Sequence, residues 1–555
     1  MTIELQREPL ISFIVPVYKV DKDLFKRCIM SLIDQDYSNI EIICAFDGID
    51  PELLKVPMSF HKDKRVKVVE IKHGGAPAAR NAGFEASKGE IVSFFNSDYI
   101  AKRGMVRMWI DELQTHPDCG FIYGAYEYGT KDRAWYPSKS FNAFELKQAN
   151  FIDCGFPLWR KHVVKWDEKV KSLQDWDFWL RVVFGEPVGE DVKVKGHFLK
   201  REISFIAQIP QAGGLSYDSE DNWIDRVKYI RDKHSIPTSK MVVTSMGAPY
   251  HGTEIAKMLG ADYRDDTIFK KNEYKSIYMI GFYTKPTDEG NPHAQVLAKY
   301  DKQIKIVHFV GADIYWLRKF THEDLKYLAG ALNLKVNHIL CETELAQKEL
   351  AEMGINSKVV QIPPYQDFDV MPLPEKFSVA IFLTGKSDFD KYCYEKTLSV
   401  VRAMPDIQFC AYGDGGKNLI YPNMTHAGNM DKADWKKFVY ANSCYLRIVM
   451  HDTRPMASDE FILAGRDVIT NVPMAYMEYI KTGGDLERNE WDTFASRFSN
   501  TLWPSTKKSI VQRIREVKRF QPYSLDRREK ASKYFKDNLN RDKYIHTIKE
   551  MGGIL

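Results

Sequence analysis

Gly89-Glu-Ile-Val-Ser-Phe-Phe-Asn-Ser-Asp98-Tyr99 is the stretch on which the reading of this 555-residue chain turns. An apolar run from Ile91 to Phe95 stops at a polar Asn-Ser-Asp. In an open α/β sheet a buried strand ends this way at its carboxyl edge, where ligands bind. A carboxylate at Asp98, one residue from the amide oxygen of Asn96, can hold a divalent cation against a diphosphate. The same tripeptide also fits a plain turn that caps the next helix. The flanking sequence decides between the two.

Upstream, Ile11–Pro16 is a short apolar strand closed by Pro16 and Tyr18, and residues 22–35 carry a helical period in Leu24, Cys28, Ile29, Leu32 and Ile33. Glu41–Asp47 is a second strand, ending in Asp47-Gly48, and Val66–Ile71 is a third. His73-Gly-Gly-Ala-Pro-Ala-Ala-Arg80-Asn81 leads into another helix. Strands alternating with helices at this spacing predict a mostly parallel, doubly wound sheet of the Rossmann-like kind. Its strand ends converge on one crevice. Asp47 is expected there as an acceptor for a base or ribose, and Arg80 as a cation for phosphate oxygens. The dinucleotide fingerprint GxGxxG is absent, which argues against a dehydrogenase.

Pro16-Val-Tyr18, Ser31–Tyr37, Glu41-Ile-Ile, Asp47-Gly48, Ala79-Arg80-Asn81-Ala82-Gly83, Lys88-Gly89-Glu90-Ile91 and Asn96-Ser-Asp98 follow one another in a characteristic order. In this the first 220 or so residues resemble the large family of inverting GT-A glycosyltransferases that includes cellulose and hyaluronan synthases. The resemblance implies a donor site built from Pro16, Tyr18, Asp47, Arg80, Asn96 and Asp98, with Mn²⁺ or Mg²⁺ held at Asp98 and Asn96.

Gln174-Asp175-Trp176-Asp177-Phe-Trp179-Leu-Arg181 predicts a helix beginning near Asp175. It resembles the family's Glu-Asp-Trp-Asp segment, in which the counterpart of Asp175 is the general base. Trp159 and Trp176 have flat faces for an acceptor sugar, and they serve equally as packing residues. Three departures stand out. Asn96 and Gln174 are amides where the family has carboxylates, and the late metal-binding His has no counterpart in Lys200–Gln211. An amide ligates a cation more weakly than a carboxylate, so a metal requirement is expected to be softened.

After Ser235-Ile-Pro-Thr-Ser239 the α/β pattern restarts, breaks at Pro363-Pro364 and restarts again. Tyr445–Thr470 resembles the nucleotide-sugar end of a GT-B glycosyltransferase, with Asp452 and Glu460 at the eight-residue spacing of that family's paired acids. The resemblance implies catalytic roles for Asp452 and Glu460, Glu460 opening a helix and bonding the donor ribose. Lys386, Gly413 and Gly415 would then face the diphosphate. A scaffold that keeps this fold without its site is the alternative. The expected divisions are a GT-A domain at 1–235, GT-B-like halves at 236–365 and 366–490, and basic C-terminal helices at 491–555.

Composition is that of an ordinary globular protein, with 44% hydrophobic and 28% charged residues and a net charge of +4. So small a charge makes no global case for nucleic acid. Eight scattered cysteines without a C-x-x-C pair suit a reducing cytoplasm. Neither a signal peptide nor a membrane-spanning run is evident. The resulting expectation is a bifunctional transferase that uses a nucleotide-sugar donor, UDP-sugar first. Its acceptor is left open among a glycan, a lipid-linked glycan, a protein and modified DNA, as is its oligomeric state. The rivals are one active module beside a scaffold, and a glycan- or nucleotide-binding protein without turnover.

Overall fold

A computed structural model describes residues 8–129, 134–136, 140–208, 220–245, 249–264, 273–282, 292–384, 392–416, 418–449, 455–470, 507–521 and 525–555. The chain divides into two compact units, Met1–Thr238 and Ser239–Leu555.

The first unit is built on nine strands: β1 (Ile11–Val17), β2 (Ile40–Asp47), β3 (Val66–Ile71), β4 (Ile91–Phe94), β5 (Tyr99–Ala101), β6 (Phe121–Tyr128), β7 (Ala134–Tyr136), β8 (Leu158–Trp159) and β9 (Gly196–Ala207). Their order is β3-β2-β1-β4-β8-β6-β9-β5, with β7 on β6. The β3-β2-β1-β4 half is parallel. The other half is mixed, because β8 runs antiparallel to β4 and β6, and β5 antiparallel to β9. β6 and β9 pair in parallel and run the same way as β4, so the expected mostly parallel sheet holds, with β5, β7 and β8 as its antiparallel strands. Strand order reverses at β1, which feeds β2 on one side and receives β4 on the other, and the ligand crevice of such a sheet lies outside that point.

Glu41 explains why several of the quoted motifs belong together. Its buried carboxylate accepts from Ser12 Oγ at 2.6 Å, from Gly89 N at 3.1 Å and from Lys67 Nζ at 2.6 Å. Burial works to raise its pKa, and these donors outweigh that and hold it below the usual carboxylate value. Gly89 is required there, since a Cβ would stand 2.4 Å from Ser12 Oγ. A Cβ at Gly83 would meet Ile14 Cγ2 at 2.5 Å, so the helix Ala76–Ala86 lies close on β1 because that residue is glycine. Ser31 Oγ accepts from Ala101 N, and Gln35 bonds Lys102 O and Val106 N. The helix Lys22–Ile33 is thereby tied to the segment that follows Asp98.

The second unit contains two parallel sheets. One consists of β10 (Met241–Ser245), β11 (Asp262–Tyr263), β12 (Ser276–Ile280), β13 (Ile304–Phe309), β14 (His338–Cys341) and β15 (Lys358–Val359), in the order β11-β10-β12-β13-β14-β15. The other is β16 (Ser378–Phe382), β17 (Gln408–Tyr412), β18 (Met424–His426), β19 (Cys444–Arg447) and β20 (Asp467–Thr470), in the order β18-β17-β16-β19-β20. Helices Lys507–Phe520 and Leu525–Asn538 pack on the second sheet's side through Ile510, Ile514 and Phe535. Arg541–Met551 returns to the first sheet, where Tyr544 bonds Tyr278 OH at 2.8 Å. The basic residues here are not uniformly solvated: Arg528 is buried and donates to Gly465 O, and Arg515 pairs with Asp406.

Candidate active site

Parallel strands β1, β2, β3 and β4 deliver Tyr18, Asp47, the 73–75 loop and Asn96–Asp98 to one edge of the first unit's sheet. Tyr18 is exposed and stacks on His73 with centroids 4.6 Å apart. Pro16 lies in β1 beyond its last partner on β4, where its missing N–H interrupts no ladder. Asp47 is buried and fully engaged. It accepts from Gly74 N at 2.7 Å and Gly75 N at 3.0 Å, and lies 2.9 Å from His73 Nδ1. Its carboxylate therefore fixes the loop at the crevice rim rather than standing open to a base, as the sequence suggested.

Arg80 occupies the crevice floor. Nη2 donates to Asn96 Oδ1 at 3.1 Å and Nη1 to Gln174 Oε1 at 3.2 Å. Cys154 Sγ is 3.6 Å from Nη2, and the guanidinium lies 4.3 Å over the Trp166 ring. Burial works to lower its pKa, but the charges of neighbouring acidic groups, Asp175 among them, carry it above its ordinary value. The expected phosphate cation at a helix start is thus a buried residue five positions into the helix, already bonded on both terminal nitrogens. Asn96 is corrected with it. An amide oxygen facing a guanidinium is a poor seat for a dication.

Asp98 is different. Burial raises its pKa, and among the described residues no side chain donates to its carboxylate. A half-buried carboxylate without a countercharge fits a Mg²⁺ or Mn²⁺ ion, which would take its remaining ligands from phosphate oxygens and water.

Asp175 lies in the first turn of the helix Gln174–Phe184, where a carboxylate is favoured by the unsatisfied amides. The chain enters through Leu173 at φ +54°, a left-handed conformation uncommon for leucine and one that clusters at functional sites. Asp175 Oδ2 accepts from Cys154 N at 3.3 Å, and Oδ1 lies 3.9 Å from Arg80 Nη1. The side chain is 28% exposed, so it is fixed on one side and accessible on the other.

Asp153 was not singled out in the sequence. It is half-buried beside Asp175, accepts from Tyr99 OH at 2.7 Å and Gly155 N at 2.7 Å, and is pushed up to about 7, by desolvation first and then by the charge of Asp175. Ligand atoms of Asp153, Cys154 and Asp175 lie within 4.8 Å of one another. Only its place beside Cys154-Gly155-Phe156 could have pointed to it.

Neither tryptophan meets its acceptor role. Trp176 is 2% exposed and its indole N–H bonds Leu146 O at 2.6 Å, which makes it a core residue. Trp159 pairs with Ile91 at the amino end of β4, a strand length of about 10 Å from the crevice edge.

In the second unit, Asp452 and Lys386 lie outside the described residues. Glu460 sits five positions into the helix Met456–Leu463 rather than opening it, because the helix starts directly after Pro455. It accepts from Trp435 Nε1 at 2.6 Å, and burial pushes it up to about 8. Gly413 N and Gly415 N already donate to Gly428 O and Leu383 O, so these amides are not free for a diphosphate. Both glycines serve close approach instead: a Cβ would stand 2.4 Å from Leu383 O at Gly413 and 1.7 Å from Thr384 O at Gly415.

Residues 12–165 match the family described as glycosyl transferase family 2. The N-terminal unit carries a glycosyl transferase family 2 domain. Over 129 residues the chain is 33% identical to the glycosyltransferase GlyG of Streptococcus pneumoniae serotype 4, covering 23% of this chain and 42% of that protein. Over 118 residues it is 35% identical to the uncharacterized glycosyltransferase EpsJ of Bacillus subtilis, covering 20% and 34%. The chain thus spans less than half the length of these relatives. Among solved structures, TarS 1-349 of S. aureus in complex with UDP-GlcNAc aligns at 16% identity over 40% of this chain and 66% of that one, with a TM-score of 0.34. Overlap that low carries no argument. Among the described residues no helix is long and apolar enough to cross a membrane.

Proposed function

We propose that the first unit transfers a sugar from a nucleoside diphosphate donor, UDP-sugar first, to an acceptor hydroxyl with inversion at the anomeric carbon. The observation that carries this reading is Asp175, a half-open carboxylate held at the crevice floor by Cys154 N beside Arg80. The acceptor oxygen attacks the anomeric carbon while its proton passes to Asp175. The bond from that carbon to the diphosphate oxygen breaks, and the nucleoside diphosphate leaves. A divalent ion bound at Asp98 would supply positive charge for the departing diphosphate. Arg80 holds Asn96 and Gln174 in place and adds fixed positive potential at the same floor. Its embedded guanidinium positions these groups; contact with the donor is left to Asp98 and the rim. The acceptor class, whether glycan, lipid-linked glycan, protein or modified DNA, is set by chemistry outside these residues.

The second unit supports a separate reading as a GT-B-like module with its own nucleotide site. Two parallel sheets and a buried acid at Glu460, hydrogen-bonded to Trp435, favour it. The chain would then be bifunctional, acting in the cytoplasm.

A thermal-shift screen of nucleotide sugars against the intact chain and its Asp98→Ala variant tests the first reading. One nucleotide sugar should raise the first unit's melting transition in the wild type and fail to do so in the variant. No shift with any nucleotide or nucleotide sugar, with or without Mn²⁺, would refute it.

A further inference from the structure

We propose that Glu112, His116 and His197 form a binding site for one divalent transition-metal ion of the zinc class, remote from the crevice. Glu112 and His116 lie one turn apart at the end of the helix Met105–Thr115, and His197 is the second residue of β9. Residues four apart share a helix face, which brings the first two together. That helix leaves the crevice edge after β5 and ends about 16 Å further on. His197 likewise lies at the opposite end of β9 from Phe205–Ala207, the part that pairs with β5.

The geometry suits an ion. Glu112 Oε2 stands 3.2 Å from His116 Nδ1 and 3.4 Å from His197 Nε2, and one ligand atom from each residue lies within 4.8 Å of the others. Zinc bonds nitrogen and carboxylate oxygen at about 2.0–2.2 Å, so the edge of its tetrahedron is about 3.4 Å. The two imidazoles stack with centroids 3.6 Å apart and 20° between planes. Exposed Asp118 adds negative charge near His197. All three side chains are 28–37% exposed, which gives the ion a route in and leaves room for a water ligand. Bound there, the ion would staple the helix end to β9.

The test is calorimetric titration of the EDTA-stripped intact chain with Zn²⁺, in an Asp98→Ala, Asp175→Asn background so that neither crevice carboxylate site contributes an ion. One Zn²⁺ is expected to bind, and His116→Ala or His197→Ala should weaken it by at least about tenfold. Zn²⁺, unlike Mg²⁺, should raise the melting temperature of the parent and not that of His116→Ala, with the two stripped proteins melting alike. Should His197→Ala not fold, Glu112→Gln beside His116→Ala decides. Equal Zn²⁺ affinity in parent and His116→Ala, or a melting temperature indifferent to Zn²⁺ in the parent, would overturn the proposal.

Discussion

Arg80 Nη2 donates to the side-chain oxygen of Asn96 at 3.1 Å, so one of the two amides found where the family resemblance led to the expectation of a carboxylate is held by a buried cation. Gln174, the other such amide, is held by the second terminal nitrogen of the same guanidinium. An aspartate introduced at position 96 would face Arg80 before it faced any ion. Asn96→Asp is therefore expected to change Mn²⁺ affinity, measured calorimetrically with nucleotide present, by less than about threefold, since the new charge is spent on the guanidinium. Asp98→Asn should weaken the ion by about tenfold or more. A large gain in Asn96→Asp would place position 96 on the ion.

Asp177 anchors the helix that carries Asp175. It is buried and bonded to Arg181, Lys233 and His234. Burial alone would raise its pKa, but the hydrogen bonds from His234 and Lys233 and the charge of Arg181 pull it down to about 2. A depressed carboxylate contributes stability above its unfolded value, and that contribution is lost as pH falls from about 4 to about 2. Asp177→Asn should cost about 3–5 kcal/mol in urea unfolding followed by tryptophan fluorescence, because it strands buried cations. A loss below about 1 kcal/mol would contradict this network's role.

Glu460 has the opposite sign. With its folded pKa pushed up to about 8 by burial, the folded state binds more proton than the unfolded state between about pH 4.5 and 8. The second unit's stability should fall as pH rises through that window. Glu460→Gln should flatten the profile of melting temperature against pH. Parallel profiles for the two proteins would show that Glu460 titrates normally.

Trp159 offers a control. Its ring sits by the amino end of β4, so Trp159→Ala should lower stability and leave the acceptor KM within about twofold of wild type. A selective rise in KM would return it to the acceptor site.

The backbone frame was legible because periodicity and strand-ending polar residues report it directly: the runs at 11–17, 40–47, 66–71 and 91–94 are the parallel half of the sheet. The mixed half was not, since β8 is two residues long and β5 three, too short for any period to register. Site residues were located better than their roles. Asp47, Gly413 and Gly415 stand at strand ends as expected and Arg80 lies inside its helix, yet each already has a partner within the fold. Pairing across tens of residues leaves no local trace in sequence. Asp153 escaped for a related reason: its burial and its approach to Asp175 are tertiary facts.

The central claim rests on Asp175 as the proton acceptor. Turnover of the best nucleotide sugar from the thermal-shift screen, compared between wild type and Asp175→Asn at equal nucleotide occupancy, tests it most directly. The account predicts that kcat for transfer falls by about 10²–10⁴-fold while nucleotide affinity stays within about threefold. Undiminished transfer by Asp175→Asn would contradict it.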